Sequence, residues 1–189
     1  HYLMGKCVAG SRDGELRVET MLYDVKTKEL VFRKAFQGTL EGHRQVAHQI
    51  SDEVILYLKG VAPGICRTRI VYITQRTERG PKEVAMMDYD GFGQNLDPVT
   101  RYGRLCTSPC WGADGQEIYF TSYHQYNPDL FGMRLRDAYV WPISRKAGLN
   151  SMADWSPAAQ RMVLTLSKDG NSEIYTYARD GADLRRLTT

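Results

Sequence analysis

The residues of this 189-residue chain whose types and spacing could carry chemistry are a carboxylate pair beside a glycine, three histidines, four cysteines and several serines. Asp88-x-Asp90-Gly91 with Asn95 has the opening of a calcium loop, which needs alternating oxygen ligands and a sharply turning glycine. The glutamate that would close such a loop is missing, and the related Arg179-Asp180-Gly181 lacks the first carboxylate, so the run reads as a hairpin turn. His43 and His48 miss the i, i+4 spacing that brings two imidazoles onto one helical face, and they read as solvated or capping residues. Asp52 and Glu53 are adjacent, splay apart on a helix, and read as a solvated face. Cys106-x3-Cys110 would need further ligands to hold zinc, and His124 alone does not complete a tetrahedral set. With Cys7 and Cys66 these read as small buried thiols, and a disulfide between Cys106 and Cys110 would require a bend in the strand. Ser108, Ser122 and Ser156 lie in no Gly-x-Ser-x-Gly elbow, and no phosphate-cradling glycine loop is present. The sequence thus offers no catalytic constellation, no metal-ligand set and no cofactor motif.

Composition narrows the class further. A hydrophobic content of 42% can supply a core, and 25 Lys+Arg against 22 Asp+Glu leave a net charge of +3 with both signs interspersed. That balance implies no nucleic-acid partner. No stretch approaches the roughly 20 apolar residues a membrane-spanning helix requires. Any export signal lies upstream of His1, and Leu3-Met4-Gly5-Lys6-Cys7 departs from a lipoprotein cleavage box because Lys6 stands where a small residue belongs.

The elements that must position these residues change character along the chain. From Tyr2 to Gln37 the pattern is strand, turn, strand, turn, strand, with Arg12-Asp13-Gly14 as the first turn and Val25-Lys26-Thr27-Lys28 as the second. Leu16, Val18, Thr20 and Leu22 alternate with Arg17, Glu19 and Met21, the period of a sheet with one buried face. Leu30, Phe32 and Ala35-Phe36 form a third strand with an irregularity expected near Arg33-Lys34. After Gly42, Val46, Ala47, Ile50, Val54 and Leu58 recur at helical steps, and Gly60 is placed to end that helix. Val61-Ala62-Pro63-Gly64 has linker composition, which predicts a small α/β domain over 1–60, a linker over 61–64 and a second domain over 65–189.

Beyond the linker the chain reads as short strands that repeat. Leu105 to Ser122 returns as Asn150 to Ser167, with Trp111 and Trp155 44 residues apart. Glu83 to Gly91 returns as Glu173 to Gly181. A period of about 45 residues built only of strands and turns marks propeller blades. The intervening copy is expected around Ala138 to Ile143, displaced by an insertion within His124 to Asp137. That reading gives one nearly complete blade on each side of a partial one, about two and a half in total. Alternation along the strand containing Tyr119 and Phe120 puts Phe120 in the core and leaves Tyr123 and Tyr126 in the insertion loop, where exposed tyrosines suit a binding surface.

These cassettes resemble the TolB family, whose blade motif runs Ser-Pro-x-Trp-Ser-Pro-Asp-Gly. It stands here as Ser108-Pro109-Cys110-Trp111-Gly112-Ala113-Asp114-Gly115 and, degraded, as Ala153-Asp154-Trp155-Ser156-Pro157-Ala158-Ala159. The family's blade-ending phrase is visible in Met87 to Gly91 with Asn95 and Thr100, and again in Asp180-Gly181 with Leu187-Thr188-Thr189. Cys66 to Ile73 resembles the first propeller strand, while Leu16 to Glu19, Leu22 to Val25 and Ala47 to Glu53 resemble the amino-terminal α/β domain. Peptidase propellers share the blade motif, so the order of domain, linker and blade is what narrows the resemblance. Gly112-Ala113 and Ala158-Ala159 depart from the family's turn residues, and looser hairpins are expected there.

The resemblance implies a non-enzymatic periplasmic scaffold of the Tol-Pal system that supports outer-membrane integrity and cell division. It implies that a Pal-like peptidoglycan-associated lipoprotein docks on the propeller end formed by the segments leading into the Trp-bearing strands. Those segments are Arg104, Leu105, Cys106 and Thr107 in one blade and Leu149, Asn150, Ser151 and Met152 in the next. A TolA-like inner-membrane protein is implied to bind through an amino-terminal segment that this chain does not include, and the six blades of a family propeller extend beyond it. The alternative is the propeller of a prolyl-oligopeptidase-like serine peptidase, which predicts a hydrolase domain with a nucleophile elbow elsewhere in the protein.

Overall fold

The computed structural model describes residues 1–9, 13–60, 64–93, 97–179 and 182–189. Arg12 of the first expected turn, residues 61–63 of the expected linker, Asn95 and Asp180-Gly181 lie outside the described residues. Contacts divide the chain into one unit of His1–Arg69 with Asp88–Gly91, and a second of Ile70–Met87 with Phe92–Thr189.

In the first unit β1 (Tyr2–Ala9), β2 (Glu15–Tyr23) and β3 (Leu30–Thr39) form an antiparallel sheet in that order. The alternation along β2 is realised, with Val18, Thr20 and Leu22 buried. The irregularity in β3 falls at Val31 rather than at Arg33-Lys34: the register steps from Leu22 opposite Phe32 to Tyr23 opposite Leu30. Arg33 and Lys34 pair regularly with Met21 and Thr20, and the Lys34 ammonium reaches Glu53 at 2.7 Å. Two successive charges break the hydrophobic pattern of the sequence without breaking the ladder.

Helix α1 (His43–Lys59) lies on β2 and β3 and ends where expected, with Gly60 in the left-handed region donating its N–H to Leu56 at 2.7 Å. Gly38 admits this packing, since a Cβ there would stand 2.5 Å from the Val46 side chain. Ala47 and Leu58 stay exposed. The seam instead follows Val46, Ile50, Glu53 and Tyr57, the last stacked on Phe32 with ring centroids 4.6 Å apart. Asp52 is not solvated: it is buried, accepts the Cys66 N–H at 2.9 Å and the Arg67 Nε at 2.8 Å, and its carboxyl presses against Gly64. Burial works to raise its pKa, but the bonds from Arg67 and Cys66 outweigh that and hold it below the ordinary carboxylate value.

In the second unit β4 (Arg69–Thr74) pairs with β5 (Glu83–Asp88), each reaching one residue into the first unit. Two four-stranded antiparallel meanders follow. The first is β6 (Cys106–Trp111), β7 (Glu117–Gln125), β8 (Asn127–Arg134) and β9 (Tyr139–Ser144); the second is β10 (Asn150–Ser156), β11 (Arg161–Leu166), β12 (Glu173–Ala178) and β13 (Arg185–Arg186). This is an incomplete propeller of about two and a half blades.

The parts are arranged differently from the sequence reading. The two-stranded sheet comes first, and both later sheets have all four strands. The segment read as an insertion is β8, which pairs with β7 from Glu117 opposite Arg134 to Ser122 opposite Asp129. It is the intervening copy of β5 and β12, and the stretch assigned to that copy is the outer strand β9. Tyr123 therefore lies within β7, and Tyr126 marks the β7–β8 turn, 86% exposed at φ 70°.

Each face of β7 is buried in a different core. Tyr119 joins Ala113, Leu130, Trp155 and Leu164, whereas Phe120 joins Val84, Cys106, Ile118 and Phe131. Alternation predicts one buried face, but a sheet stacked between two neighbours buries both. Nor is the Gly112-Ala113 turn loosened. A Cβ on Gly112 would fall 2.6 Å from the Tyr119 ring, and the Ala113 N–H donates to Tyr119 Oη at 3.4 Å.

Candidate protein-interaction site

Strands β6 and β10 open successive sheets and lie side by side. Thr121 of β7 ties them, its hydroxyl 3.2 Å from Ser151 Oγ and 3.3 Å from the Asn150 carbonyl. The two segments singled out by sequence are thereby neighbours.

In the first, the Arg104 carbonyl accepts the Lys82 N–H at 3.1 Å and the Cys106 N–H donates to the Lys82 carbonyl at 2.7 Å. The Leu105 carbonyl accepts from Tyr123 at 2.9 Å. The Arg104 side chain is exposed, its guanidinium 5.7 Å from the centroid of the Tyr126 ring. Cys106 is fully buried, 3.7 Å from Ser122 Oγ and 3.8 Å from Glu83, and burial pushes its thiol up to about 11. Leu105 and Thr107 are half-buried.

In the second, Leu149 is half-buried and exchanges hydrogen bonds with Ser167, its N–H to Ser167 Oγ at 2.8 Å and its carbonyl from Ser167 N–H at 3.1 Å. Asn150 is fully buried and acts as a hub. Its Oδ1 accepts from Ser144 Oγ at 2.7 Å and Lys146 N–H at 2.8 Å, while Nδ2 donates to the carbonyls of Lys146 at 2.8 Å, Gly148 at 3.0 Å and Pro128 at 3.2 Å. Ser151 is buried, and Met152 is 65% exposed. The eight residues thus separate into side chains that reach solvent, namely Arg104, Met152 and in part Leu105, Thr107 and Leu149, and the buried Cys106, Asn150 and Ser151 beneath them.

A carboxylate near the start of β5, β8 and β12 recurs in this unit. Thr100 accepts the Val84 N–H at 2.9 Å and donates to Glu83 at 2.5 Å, and Glu83 also accepts the Gly103 N–H at 2.7 Å. Thr188 repeats the device, accepting the Ile174 N–H at 2.9 Å and donating to Glu173. The Thr188 hydroxyl, then Arg186 and Asn171, hold Glu173 below its usual pKa against the opposing effect of burial. Asp129 of the middle sheet is bound instead by Arg145 at 3.2 Å and Asn127 at 2.5 Å. The threonines of the blade-ending phrase, Thr100 and Thr188, are therefore fasteners to the strands β5 and β12 that carry the carboxylates. A cavity of about 460 Å³ is lined by Thr74, Pro81, Pro98 and Gly103, and by Asp97, which pairs with Arg76 at 2.6 Å and Arg101 at 2.8 Å.

In the first unit His48, Asp88 and Asp90 place three ligand-type groups together. The guanidinium of Arg44 already bonds Asp90 and stands 3.9 Å from Asp88, and His48 Nε2 lies 3.2 Å from Asp90. The positive charge such a cluster calls for is supplied by the protein itself. Asp88 to Gly91 forms a turn with the Gly91 N–H on the Asp88 carbonyl at 2.9 Å. His48 is largely buried rather than solvated, and His43 Nδ1 lies 2.8 Å from the Leu40 carbonyl ahead of the helix.

Sequence reasoning weighed Ser108 only as a nucleophile and as part of the blade motif. Ser108 occupies in β6 the position of Met152 in β10, 44 residues earlier, and both have positive φ, 49° and 55°. The signal available was the alignment of the two Trp cassettes, which places these residues together at three positions before each tryptophan.

Stacked meanders with neighbouring first strands, and with solvent-reaching side chains on the segments leading into them, define a β-propeller protein. The chain belongs to the family described as TolB beta propeller domain, which matches residues 58–189. It is 34% identical over 184 residues to "Tol-Pal system protein TolB" of Desulfosudis oleivorans, covering 97% of this chain and 40% of that protein. It is 32% identical over 176 residues to the protein of the same name from Anaeromyxobacter dehalogenans, covering 93% of this chain and 39% of that one. The chain therefore spans about two fifths of the length of these relatives. In fold it is similar to the crystal structure of TolB from Acinetobacter baumannii, with a TM-score of 0.87 at 24% identity over 99% of this chain and 46% of the other. A puromycin-hydrolyzing peptidase of Mycobacterium tuberculosis shares the fold more distantly, with a TM-score of 0.51 at 12% identity over 97% of this chain and 31% of that one.

Proposed function

We propose that the chain is part of a non-enzymatic periplasmic scaffold of the Tol-Pal system, contributing to outer-membrane integrity and cell division. A Pal-like peptidoglycan-associated lipoprotein docks on the end of the blades that carries Arg104 to Thr107 and Leu149 to Met152. A TolA-like inner-membrane protein is the second partner in this reading, and the chain divides into an α/β domain over 1–60, a linker over 61–64 and a propeller portion over 65–189. The observation that carries the reading is the juxtaposition of the two leading segments, held by Thr121 against Asn150 and Ser151. Neighbouring repeats that converge in this way build composite binding surfaces. Support comes also from relatives whose names place them in the Tol-Pal system.

Within the surface, Arg104, Leu105, Thr107, Leu149 and Met152 make contact, and Cys106, Asn150 and Ser151 set the backbone from below. Titration of the natural full-length protein with the soluble domain of the Pal-like lipoprotein from the same genome tests this. Saturable binding at micromolar concentration that Arg104→Ala and Met152→Ala weaken supports it, and the absence of binding by a verified folded sample removes it.

A further inference from the structure

Between the two complete sheets lies a cavity of about 210 Å³, whose lining includes Glu117, Tyr119, Trp141, Met162, Tyr177 and Arg179. Its apolar walls follow from register. In the first sheet Tyr119 stands opposite Gly132 and Gly132 opposite Trp141, so a row across three strands carries two rings with no side chain between them. In the second sheet Met162 stands opposite Tyr177. Trp141 and Tyr177 are half-buried and pack against the cluster that holds Tyr119 and Met162. Three aromatic rings and a thioether thus line the space.

The polar groups of the cavity are few and nearly balanced in charge. Arg179 donates to Glu117 at 3.0 Å, which joins the two sheets, and its guanidinium stands 3.7 Å from Asp114. The Tyr119 hydroxyl donates to the same glutamate at 3.1 Å, and burial pushes this phenol up to about 12, so it stays a donor at neutral pH. The Trp141 indole N–H and the Tyr177 hydroxyl make no hydrogen bond to another described residue, although such groups ordinarily find a partner when they are removed from water. Glu117 opens β7 and Arg179 follows β12, so both stand at the end of the sheets where β6 and β10 finish. The segments leading into β6 and β10 belong to the opposite end.

We infer that this cavity is a binding site for one neutral pyranose ring, free or as a unit of a glycan. It is independent of the docking surface proposed above. Sites for drug-sized ligands begin at about 300 Å³, so this smaller space suits a single ring. The C–H face of a pyranose is apolar and packs on aromatic side chains. Its hydroxyls both donate and accept, which matches the unspent donors of Trp141 and Tyr177 and the neighbouring acceptor and donor of Glu117 and Arg179. A neutral hydroxyl can bond to that ion pair without parting it. A charged ligand would have to separate Glu117 from Arg179 and leave one of them unpaired in a half-buried place, which costs more.

The test titrates the natural full-length protein with methyl β-glucoside, methyl β-galactoside and methyl N-acetyl-β-glucosaminide, read by saturation-transfer NMR of the sugar protons. At least one should bind saturably with Kd of about 1–10 mM. Trp141→Ala, with its fold verified by circular dichroism, should weaken that Kd about tenfold or more. Tyr177→Phe keeps the ring and loses only the hydroxyl, and should weaken it about threefold; it carries the test alone if Trp141→Ala does not fold. Absence of saturable binding by all three sugars at about tenfold above that range overturns the inference. Sugar binding that Tyr177→Phe and a folded Trp141→Ala leave unchanged overturns it too, since the ring would then sit elsewhere. Binding of tetramethylammonium or benzoate at this cavity in place of the sugars overturns the assignment to a neutral ring. Affinity for the Pal-like domain is measured separately, and none of these results bears on it.

Discussion

Positions 106 and 150 are equivalent in the two complete sheets, both fully buried, and solve the same problem with different chemistry. Before β10 the connection from β9 is short, running from Ser144 to Asn150, and one amide side chain satisfies its polar groups through Oδ1 and Nδ2. Before β6 the connection from β5 is long. There Glu83 and Thr100 do the fastening, and Cys106 is a small thiol packed beside them. The repeat thus fixes the backbone position and its burial. Which side chain fills it depends on the length of the connection that must be closed.

The predictions sharpen or break this comparison, beginning with the tryptophans that follow the two positions. Trp155 is buried and meets Tyr119 edge-on with centroids 6.5 Å apart, whereas Trp111 is half-buried against its core. In chemical denaturation Trp155→Ala should cost about 4 kcal/mol and Trp111→Ala about 2 kcal/mol. Equal losses would mean that the two cores are packed alike.

Asn150→Ala leaves several buried groups of the β9–β10 connection without partners and should cost about 3 kcal/mol, against about 1 kcal/mol for Cys106→Ala. Matching values from urea titrations would break the comparison directly. Asp52 extends the same logic to the first unit, as a single buried side chain that closes the chain after the helix. Its folded-state pKa is lowered, so its contribution is complete above the unfolded carboxylate pKa of about 4 and is lost as pH falls through the folded value. Asp52→Asn should therefore reduce stability by about 1–2 kcal/mol near pH 7, Arg67 being more than half exposed, and differ least from wild type near pH 2. A constant difference across that range would refute the electrostatic account.

The smallest effect concerns the thiols. Burial pushes Cys106 to about 11 and Cys110 to about 12, so both stay protonated at pH 8. A disulfide reagent should label exposed Cys7 first and reach Cys106 and Cys110 only on unfolding. Rapid labelling of Cys106 would show that the seat before β6 is open.

What the sequence made legible was whatever repeats locally. The alternation of β2, the end of α1 at Gly60 and the Trp cassettes could all be read because each depends on neighbours close in the chain. Strand β8 was hidden because Asn127, Pro128, Asp129 and Gly132 are residues that strands usually avoid. Gly132 is there for its neighbour, since a Cβ would stand 2.4 Å from the Trp141 ring. Asp52 was misread because helical geometry says only that it diverges from Glu53, and its partners lie 14 and 15 residues further on. The same holds for the hub at Asn150: its position was legible from the cassette, but the carbonyls it gathers were not.

The double-sided burial of β7 has a consequence for changes in chain length. Inserting or deleting one residue between Glu117 and Ser122 would exchange Tyr119 with Phe120 and so disrupt two cores at once. The hairpin tip at Tyr126, projecting into water, can lengthen without shifting either ring. Among homologous chains, gaps should therefore gather at that tip and be absent from the strand before it.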